Sequence, residues 1–160
     1  MTKIAALTGK DNYFENYAVG AVYRHARGKT VEPLEAVLFT NLVMNSAAGH
    51  FNDHQMQSHP AKQRVVYGGV TIGLVLGLAT QDTGENAIRE LGLNNVRLMK
   101  NVFHGDSLYA LSEVLEKKDS DREDAGEILF RHYGINQKDE QVFQGDRRVL
   151  IKKWSAWQDR

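Results

Sequence analysis

The chain has 160 residues, the usual size of a single globular domain, and we expect one domain over residues 1–160. Its 20 lysines and arginines balance its 20 aspartates and glutamates, which argues against partners recognised by overall charge, such as nucleic acid or an anionic membrane. The lack of cysteine excludes disulfides, thiolate nucleophiles and cysteine zinc sites, and the first residues show no apolar leader, so we expect a cytoplasmic protein.

The first part of the chain is predicted to contain a strand, a helix and a polar loop. The segment AVGAVYRHARGKTV, residues 18–31, is typical of a strand. A helix is predicted from about Pro33 to Met44, because proline fits the first turn of a helix. The apolar residues of that helix recur at helical spacing: Leu34, Val37, Leu38 and Leu42. Residues 50–64 are polar and rich in histidine, which indicates a functional loop.

The longest apolar run, VVYGGVTIGLVLGLA at residues 65–79, predicts a long buried helix over roughly residues 69–82. The run is shorter than the roughly 20 residues that cross a bilayer, so we do not expect a membrane span. Gly73 and Gly77 have a spacing that lets another element approach closely, and we expect a sheet to lie against them.

The last part of the chain changes to strand-like segments. Four such segments follow Gly92, and their sequences are NNVRLMKNVF, SLYALSEVLEKK, GEILFRHYGIN and QVFQGDRRVLIKKW. Residues 104–106, 117–124 and 136–140 separate them and are predicted as turns. The resulting order predicts an α+β domain in which a long helix is followed by an antiparallel meander.

Two segments of this pattern, NSAAGHFN at residues 45–52 and VVYGGVTIGL at residues 65–74, resemble the active-site segments of MaoC-like dehydratases and (R)-specific enoyl-CoA hydratases. These families have a hot-dog fold, and the resemblance implies a long central helix wrapped by an antiparallel sheet of five or six strands. His50 falls on the family histidine, Asn45 on its aspartate, Ala47 on its asparagine and Gly68 on the glycine of its turn. Residues 27–51 are most similar to mesaconyl-CoA and itaconyl-CoA hydratases, which act on branched or dicarboxylic thioesters.

The resemblance implies that the protein adds water to, or removes it from, an acyl-CoA. Such chemistry needs a base for the water and donors for the thioester oxygen. His50 can be the base, because histidine changes its charge near neutral pH. The backbone N–H of Gly68, or of Gly69 beside it, would meet the oxygen at the first turn of the helix. Coenzyme A would enter only as part of the substrate, with no other cofactor, and the family implies a homodimer or higher even oligomer with sheets joined edge to edge.

Asn45 departs from the family pattern, because an amide cannot transfer a proton as the family aspartate does. Three hypotheses remain open. Asn45 orients the water while His50 returns the proton to the α carbon; or a substrate carboxylate occupies the space, where a neutral amide avoids repulsion; or the protein is impaired or catalyses another reaction. Asp53 and His54 are candidate substrate-binding residues that would replace the missing carboxylate.

Other functions are tested against the same residues. His50, Asp53, His54 and His59 would suit a metal if residues 50–54 were helical, but the family histidine needs none, and we predict no metal. A hot-dog thioesterase is an alternative, although the run from Val70 to Ala79 lacks the carboxylate that such enzymes carry. A non-catalytic acyl-thioester binding protein is another.

Four basic residues are candidates for the phosphates of coenzyme A: Lys62, Arg64, Lys100 and Lys152. Three histidines are predicted to be structural or solvated: His25, His104 and His132.

Overall fold

The computed structural model describes residues 3–4 and 12–157. Its strands are β1 (Lys3–Ile4), β2 (Val22–Thr30), β3 (Ala87–Leu98), β4 (Ser107–Asp119), β5 (Ala125–Asn136) and β6 (Gln141–Lys152). Its α-helices are α1 (Pro33–Leu42), α2 (Asp53–Met56), α3 (Gly68–Thr83) and α4 (Trp154–Trp157), and short 3-10 helices span Phe14–Asn16 and Ala48–His50. The described helices include none with the length and hydropathy of a membrane span.

The strands form one sheet in the order β1-β2-β4-β5-β6-β3. Every pairing is antiparallel except that of β1, which adds two residues parallel to β2. Helix α3 packs on the sheet through Val70, Val75 and Ala79, which meet Leu108 and Phe143 in the main core. The predicted arrangement of a long helix against an antiparallel sheet is therefore confirmed.

The predicted meander is correct only for β4, β5 and β6. Strand β3 begins at Ala87, before the predicted start, and it pairs with β6 at the far edge of the sheet instead of with β4. The residues between β3 and β4 therefore cross from one edge of the sheet to its other half. Strand periodicity identifies a strand but does not identify its neighbour, which depends on how the whole sheet closes around α3.

The prediction for Gly73 and Gly77 is wrong. A side chain built on either glycine would meet no atom within 4 Å, so both glycines face away from the sheet. They lie on the outer side of α3, along grooves that separate this helix from its neighbours. The close contact between α3 and the sheet is instead made beside Gly134 of β5, where an added Cβ would collide with Val75.

Helix α1 forms as predicted, with Pro33 in its first turn, and ends at Leu42. The residues buried by this helix are Ala36 and Thr40, whereas Leu34 is 78% exposed and Leu42 is 73% exposed. The apolar face expected from the sequence is thus turned outward. Neighbouring exposed apolar side chains of this kind often mark a surface that another molecule covers.

Candidate active site

The loop between α1 and α2 carries the predicted histidine. After α1 the chain reverses at Met44, which has a φ of 58°. The Asn45 N–H then donates to the Thr40 carbonyl at 3.1 Å, and the 3-10 helix that follows ends at His50. These contacts fix the loop to the end of α1, so the position of His50 depends on backbone geometry.

A pair of hydrogen bonds joins this loop to the segment that enters α3. The Val65 N–H donates to the Gly49 carbonyl at 3.1 Å, and His50 Nδ1 lies 2.7 Å from the Val65 carbonyl oxygen. Because a carbonyl oxygen only accepts, Nδ1 carries the proton of a neutral His50. The lone pair of such an imidazole is then on Nε2, which is the arrangement that a general base requires.

The two N–H groups predicted as oxyanion donors, those of Gly68 and Gly69, lie in the first turn of α3. Tyr67 precedes the helix, and its ring lies 5.6 Å from that of His50, centre to centre. Within the described chain, neither the Gly68 nor the Gly69 N–H donates to another group. Such N–H groups sit at the positive end of the helix dipole and favour a negatively charged oxygen.

Both glycines of this turn lie under neighbouring side chains. A Cβ on Gly68 would collide with Leu98, and a Cβ on Gly69 would collide with the ring of Tyr67. Leu98 is the last residue of β3, so this end of the sheet edge adjoins the site. A larger residue at either position would require the Leu98 side chain or the Tyr67 ring to move.

Asn45 lies at the base of the same loop. Its Oδ1 accepts a hydrogen bond from the Ala47 N–H at 3.0 Å, which forms a local turn. The Nδ2 group remains a donor for a ligand, since it makes no hydrogen bond within the described chain. No hydrogen bond joins Asn45 to His50 in the described chain.

Asp53 and His54 begin the short helix α2, where both are exposed. Asp53 Oδ1 accepts from Arg64 Nε at 2.8 Å. No hydrogen bond joins His54 to His50 among the described residues. The helical spacing required for a metal does not form, because Phe51 and Asn52 separate the 3-10 helix from α2. The described residues contain no group of three or more metal-ligating side chains.

His104, predicted to be structural or solvated, lies close to this site. Its pKa is lowered by burial and then by the charge of Arg64, with smaller effects of Asp53 and His50. Neither of its ring nitrogens has a hydrogen-bond partner in the described chain, although both are buried. The sequence gives no signal of this position, because the turn that holds His104 reaches the site only through pairing of distant segments.

A second group of titratable side chains lies at the other end of α3. His25 Nδ1 is 2.7 Å from Asp82 Oδ2, and His25 Nε2 is 2.6 Å from Ser112 Oγ. Ser112 Oγ is in turn 2.6 Å from His132 Nδ1. All four side chains are buried, so these hydrogen bonds form a structural network that a substrate cannot reach. The prediction that His25 and His132 are structural fits this arrangement.

An apolar groove of about 460 Å³ runs between α1 and α3. Its walls include Phe39 on one side and Val70, Gly73 and Leu74 on the other. Val70 follows Gly69 directly, so the groove starts beside the first turn of α3. This geometry offers an apolar surface next to the candidate oxyanion donors.

The four basic residues considered for coenzyme A phosphates have other partners. Lys62 Nζ donates to the Gln57 carbonyl, Lys100 pairs with Glu140, and Lys152 lies over the ring of Trp157. Arg64 pairs with Asp53 through Nε. Of these four residues, Arg64 is the one that directly precedes Val65, whose carbonyl bonds to His50.

Proteins of known family resemble this chain in sequence. The sequence matches the model of the mesaconyl-CoA hydratase family over residues 5–153. A mesaconyl-CoA hydratase of Haloarcula marismortui is 33% identical over 150 residues, which make up 93% of this chain and 40% of that protein. The chain therefore spans about two fifths of the length of this curated relative.

Solved structures show the same fold. A MaoC domain protein of Chloroflexus aurantiacus superposes with a TM-score of 0.84 at 29% identity, covering 91% of this chain and 46% of that one. A Mycobacterium tuberculosis protein with a double hot-dog fold gives a TM-score of 0.81 at 20% identity, covering 91% of this chain and 45% of that one. The predicted hot-dog fold and MaoC-like resemblance are thus confirmed. The chain belongs to the mesaconyl-CoA hydratase family.

Proposed function

We propose that this protein catalyses the reversible addition of water across the 2,3 double bond of an enoyl-CoA thioester. The observation that carries the proposal is the hydrogen bond from His50 Nδ1 to the Val65 carbonyl, which leaves Nε2 as a base beside the first turn of α3. The relative from Haloarcula marismortui is a mesaconyl-CoA hydratase, which supports the same reaction type here.

The thioester oxygen binds at the N–H groups of Gly68 and Gly69. His50 Nε2 removes a proton from a water molecule as the water oxygen attacks the β carbon, and negative charge moves to the thioester oxygen. The protonated His50 then gives that proton to the α carbon, which completes the 3-hydroxyacyl thioester. Every proton transfer in this scheme is made by His50, so coenzyme A enters only as part of the substrate and no other cofactor is needed.

Asn45 acts through its free Nδ2 donor in this scheme. The amide can donate a hydrogen bond to the attacking water. Alternatively, because it is uncharged, it can lie beside a negatively charged substrate group without repulsion. The second role favours a dicarboxylic substrate such as mesaconyl-CoA. Asp53 and His54 have lesser roles, because the Asp53 carboxylate is occupied by Arg64.

The apolar groove between α1 and α3 supports binding of an acyl or pantetheine segment. It presents Phe39 and Leu74 beside the glycine turn, and ligand sites are commonly apolar with a few placed polar groups. An apolar ligand would also cover part of the exposed face of α1.

A thioesterase is less consistent with the geometry. Asp82 is the first carboxylate along α3, and it is buried and bonded to His25. It lies fourteen residues beyond Gly68, which corresponds to about 21 Å along the helix. No carboxylate of α3 is therefore placed to direct water at the thioester carbonyl.

We further propose a homodimer that forms along β3. This edge strand is 12 residues long, and it exposes several large apolar side chains: Leu91, Leu93, Val96 and Leu98. A long exposed edge of this kind is a surface that another strand readily pairs with. Because Leu98 adjoins Gly68, pairing here would also bring the second copy close to the active site. The cytoplasmic location remains a prediction from the sequence.

The function is tested by incubating the protein with crotonyl-CoA, mesaconyl-CoA and itaconyl-CoA. Absorbance of the conjugated enoyl thioester and the concentration of free thiol are followed together. We expect absorbance to fall without thiol release. Release of thiol would indicate a thioesterase, and binding without either change would indicate a non-catalytic binding protein, so both results would contradict the proposal.

A further inference from the structure

The side chain of Tyr67 stands between the candidate base and the glycine turn. Tyr67 is the last residue before α3, and part of its ring packs against the main core, which holds the side chain in place. Its ring centre lies 5.6 Å from that of His50, and the two ring planes are inclined at 60°. Rings at this separation are in contact. The phenol of Tyr67 therefore borders the side chain that we propose as the base.

The same ring covers the start of α3. Tyr67 Cζ, the carbon that carries the hydroxyl group, is 2.8 Å from the position that a Cβ on Gly69 would take. The hydroxyl-bearing end of the ring is thus next to the backbone of Gly69, whose N–H is one of the two candidate oxyanion donors. The hydroxyl oxygen is a single bond beyond that carbon.

The Tyr67 hydroxyl is a donor without a protein partner. It forms no hydrogen bond with any residue that the structure describes, although the side chain is half-buried. It is also absent from the buried, unpaired polar atoms of those residues, and so is Nε2 of His50. Both atoms therefore have accessible surface, and a ligand can reach them.

We propose that the Tyr67 hydroxyl donates a hydrogen bond to the thioester oxygen of the substrate, beside the N–H groups of Gly68 and Gly69. The inference rests on the proposed function, since it adds a donor to the same reaction. A phenol is a neutral donor whose O–H rotates to suit its acceptor. Negative charge moves to the thioester oxygen as water attacks the β carbon, and a hydrogen bond to that oxygen then strengthens. Tyr67 is in this way a further catalytic residue that transfers no proton.

The groove beside this turn favours the thioester oxygen as the acceptor. The helix side of the groove begins at Val70 and continues with Gly73 and Leu74, which offer no polar side chain. A thioester that lies along the groove therefore meets polar groups of the helix only at its first turn. The Tyr67 hydroxyl and the two glycine N–H groups are the donors there.

The first test is Tyr67→Phe, which removes the hydroxyl and keeps the ring over Gly69. Removal of a single oxyanion donor commonly lowers kcat about 10²–10³-fold. Because the two backbone donors remain, we expect kcat for crotonyl-CoA hydration to fall roughly 10–10²-fold. The KM should change less than about threefold, since the thioester oxygen of the bound substrate carries little charge before the attack. A kcat within about threefold of the wild type would overturn the proposal.

Tyr109→Phe is the matched control. The Tyr109 ring covers Gly28 much as the Tyr67 ring covers Gly69, and its hydroxyl has no partner in the described part of the chain. Tyr109 and Gly28 lie on β4 and β2, outside the two segments that build the site. Tyr109→Phe should leave kcat unchanged. Neither variant should lower the thermal unfolding midpoint, because neither hydroxyl stabilises the fold through a hydrogen bond. A joint fall of kcat and of this midpoint in Tyr67→Phe would assign Tyr67 a structural role and overturn the proposal.

The second test measures the contact with the thioester through the absorption spectrum of bound 2,4-hexadienoyl-CoA. Hydrogen bonds to the carbonyl of a conjugated thioester draw electrons toward its oxygen and shift the absorption to longer wavelength. The protein is His50→Gln, which lacks the proposed base, so the probe is not consumed. We expect a shift to longer wavelength on binding and a smaller shift when Tyr67→Phe is added. A tyrosine that only packs against its neighbours would leave the shift unchanged.

The two proposals fail in different ways. If the wild-type protein hydrates no thioester but the shift depends on Tyr67, the proposed reaction is wrong and the contact stands. If hydration occurs and Tyr67→Phe changes neither kcat nor the shift, the reaction stands and Tyr67 has no catalytic role. A lower kcat with an unchanged shift would assign Tyr67 to another step, which also overturns the contact. A protein that neither hydrates crotonyl-CoA nor shifts the probe overturns both proposals.

Discussion

His50 Nδ1 lies 2.7 Å from the carbonyl oxygen of Val65, and this bond links the candidate base to the entry of α3. Val65 is itself paired with Phe103 through an antiparallel bridge, so the orientation of the imidazole depends on the turn that carries His104. The base and the glycine turn therefore depend on one backbone segment. A shift of this segment would move both together.

Replacement of His50 by alanine should lower kcat for hydration about 10²–10⁴-fold, the usual contribution of a positioned general base. The measurement is the loss of enoyl absorbance at saturating crotonyl-CoA. His59→Asn is the matched control, because His59 lies in the same polar loop and is exposed. A hydration rate for His50→Ala within a factor of ten of the wild type would exclude His50 as the base, provided that thermal unfolding shows an intact fold.

Asn45→Asp should change the preference between substrates. A carboxylate at this position can act with His50 as an acid–base pair, so we expect kcat/KM for crotonyl-CoA to rise. For mesaconyl-CoA it should fall roughly tenfold, because two carboxylates would approach each other in a partly desolvated site. Asn41→Asp on the exposed surface of α1 is the control. The opposite change in the ratio of the two kcat/KM values would remove the charge-avoidance hypothesis.

The sequence predicts the helices and strands of this fold better than it predicts which of them pack against each other. Periodicity predicts α1, α3 and the strands, since each reflects local spacing of apolar side chains. It does not indicate that Gly73 faces a groove, that Leu34 points outward, or that β3 pairs with β6. These features depend on which surface covers each element, and that choice is made by the assembled fold.

The candidate site divides in the same way. The sequence predicts roles for His50 and Gly68, because a short motif and a helix start mark them locally. It gives no signal that His104 lies near this loop, because HisGlyAsp is an ordinary turn sequence and only the Val65–Phe103 bridge brings the turn there. The orientation of His50 by a backbone carbonyl likewise has no signature in the sequence.

Leu93→Lys should convert the proposed dimer into a monomer. Leu93 is 40% exposed on the edge strand β3, and a lysine there opposes strand pairing by placing a charge in the interface. Light scattering after size-exclusion chromatography measures the mass of both forms. Val19→Lys is the control, because Val19 is an exposed apolar residue outside β3. A wild-type protein that is monomeric at micromolar concentration, or a variant that remains dimeric, would contradict pairing through β3.

His132 should make the free energy of unfolding depend on pH. Burial, and then the charges of Arg147 and His25, lower the pKa of His132 from 6.5 to about 3. The folded protein therefore keeps His132 neutral while the unfolded chain takes up a proton. The stabilising contribution is fully present above pH 6.5 and is lost as the pH falls toward 3, by up to about 1.4 kcal/mol per pH unit.

His132→Phe should reduce this slope by about one proton between pH 4.5 and 6, because phenylalanine cannot titrate while Ser112 keeps its hydrogen bond to His25. Urea unfolding at a series of pH values gives the slope for each protein. His25 and His104 also have pKa values lowered by burial, so part of the slope will remain in the variant. His59→Asn is the control variant, because it replaces an exposed histidine outside this buried network. Parallel curves for the wild type and His132→Phe would show that His132 does not stay neutral in the folded protein.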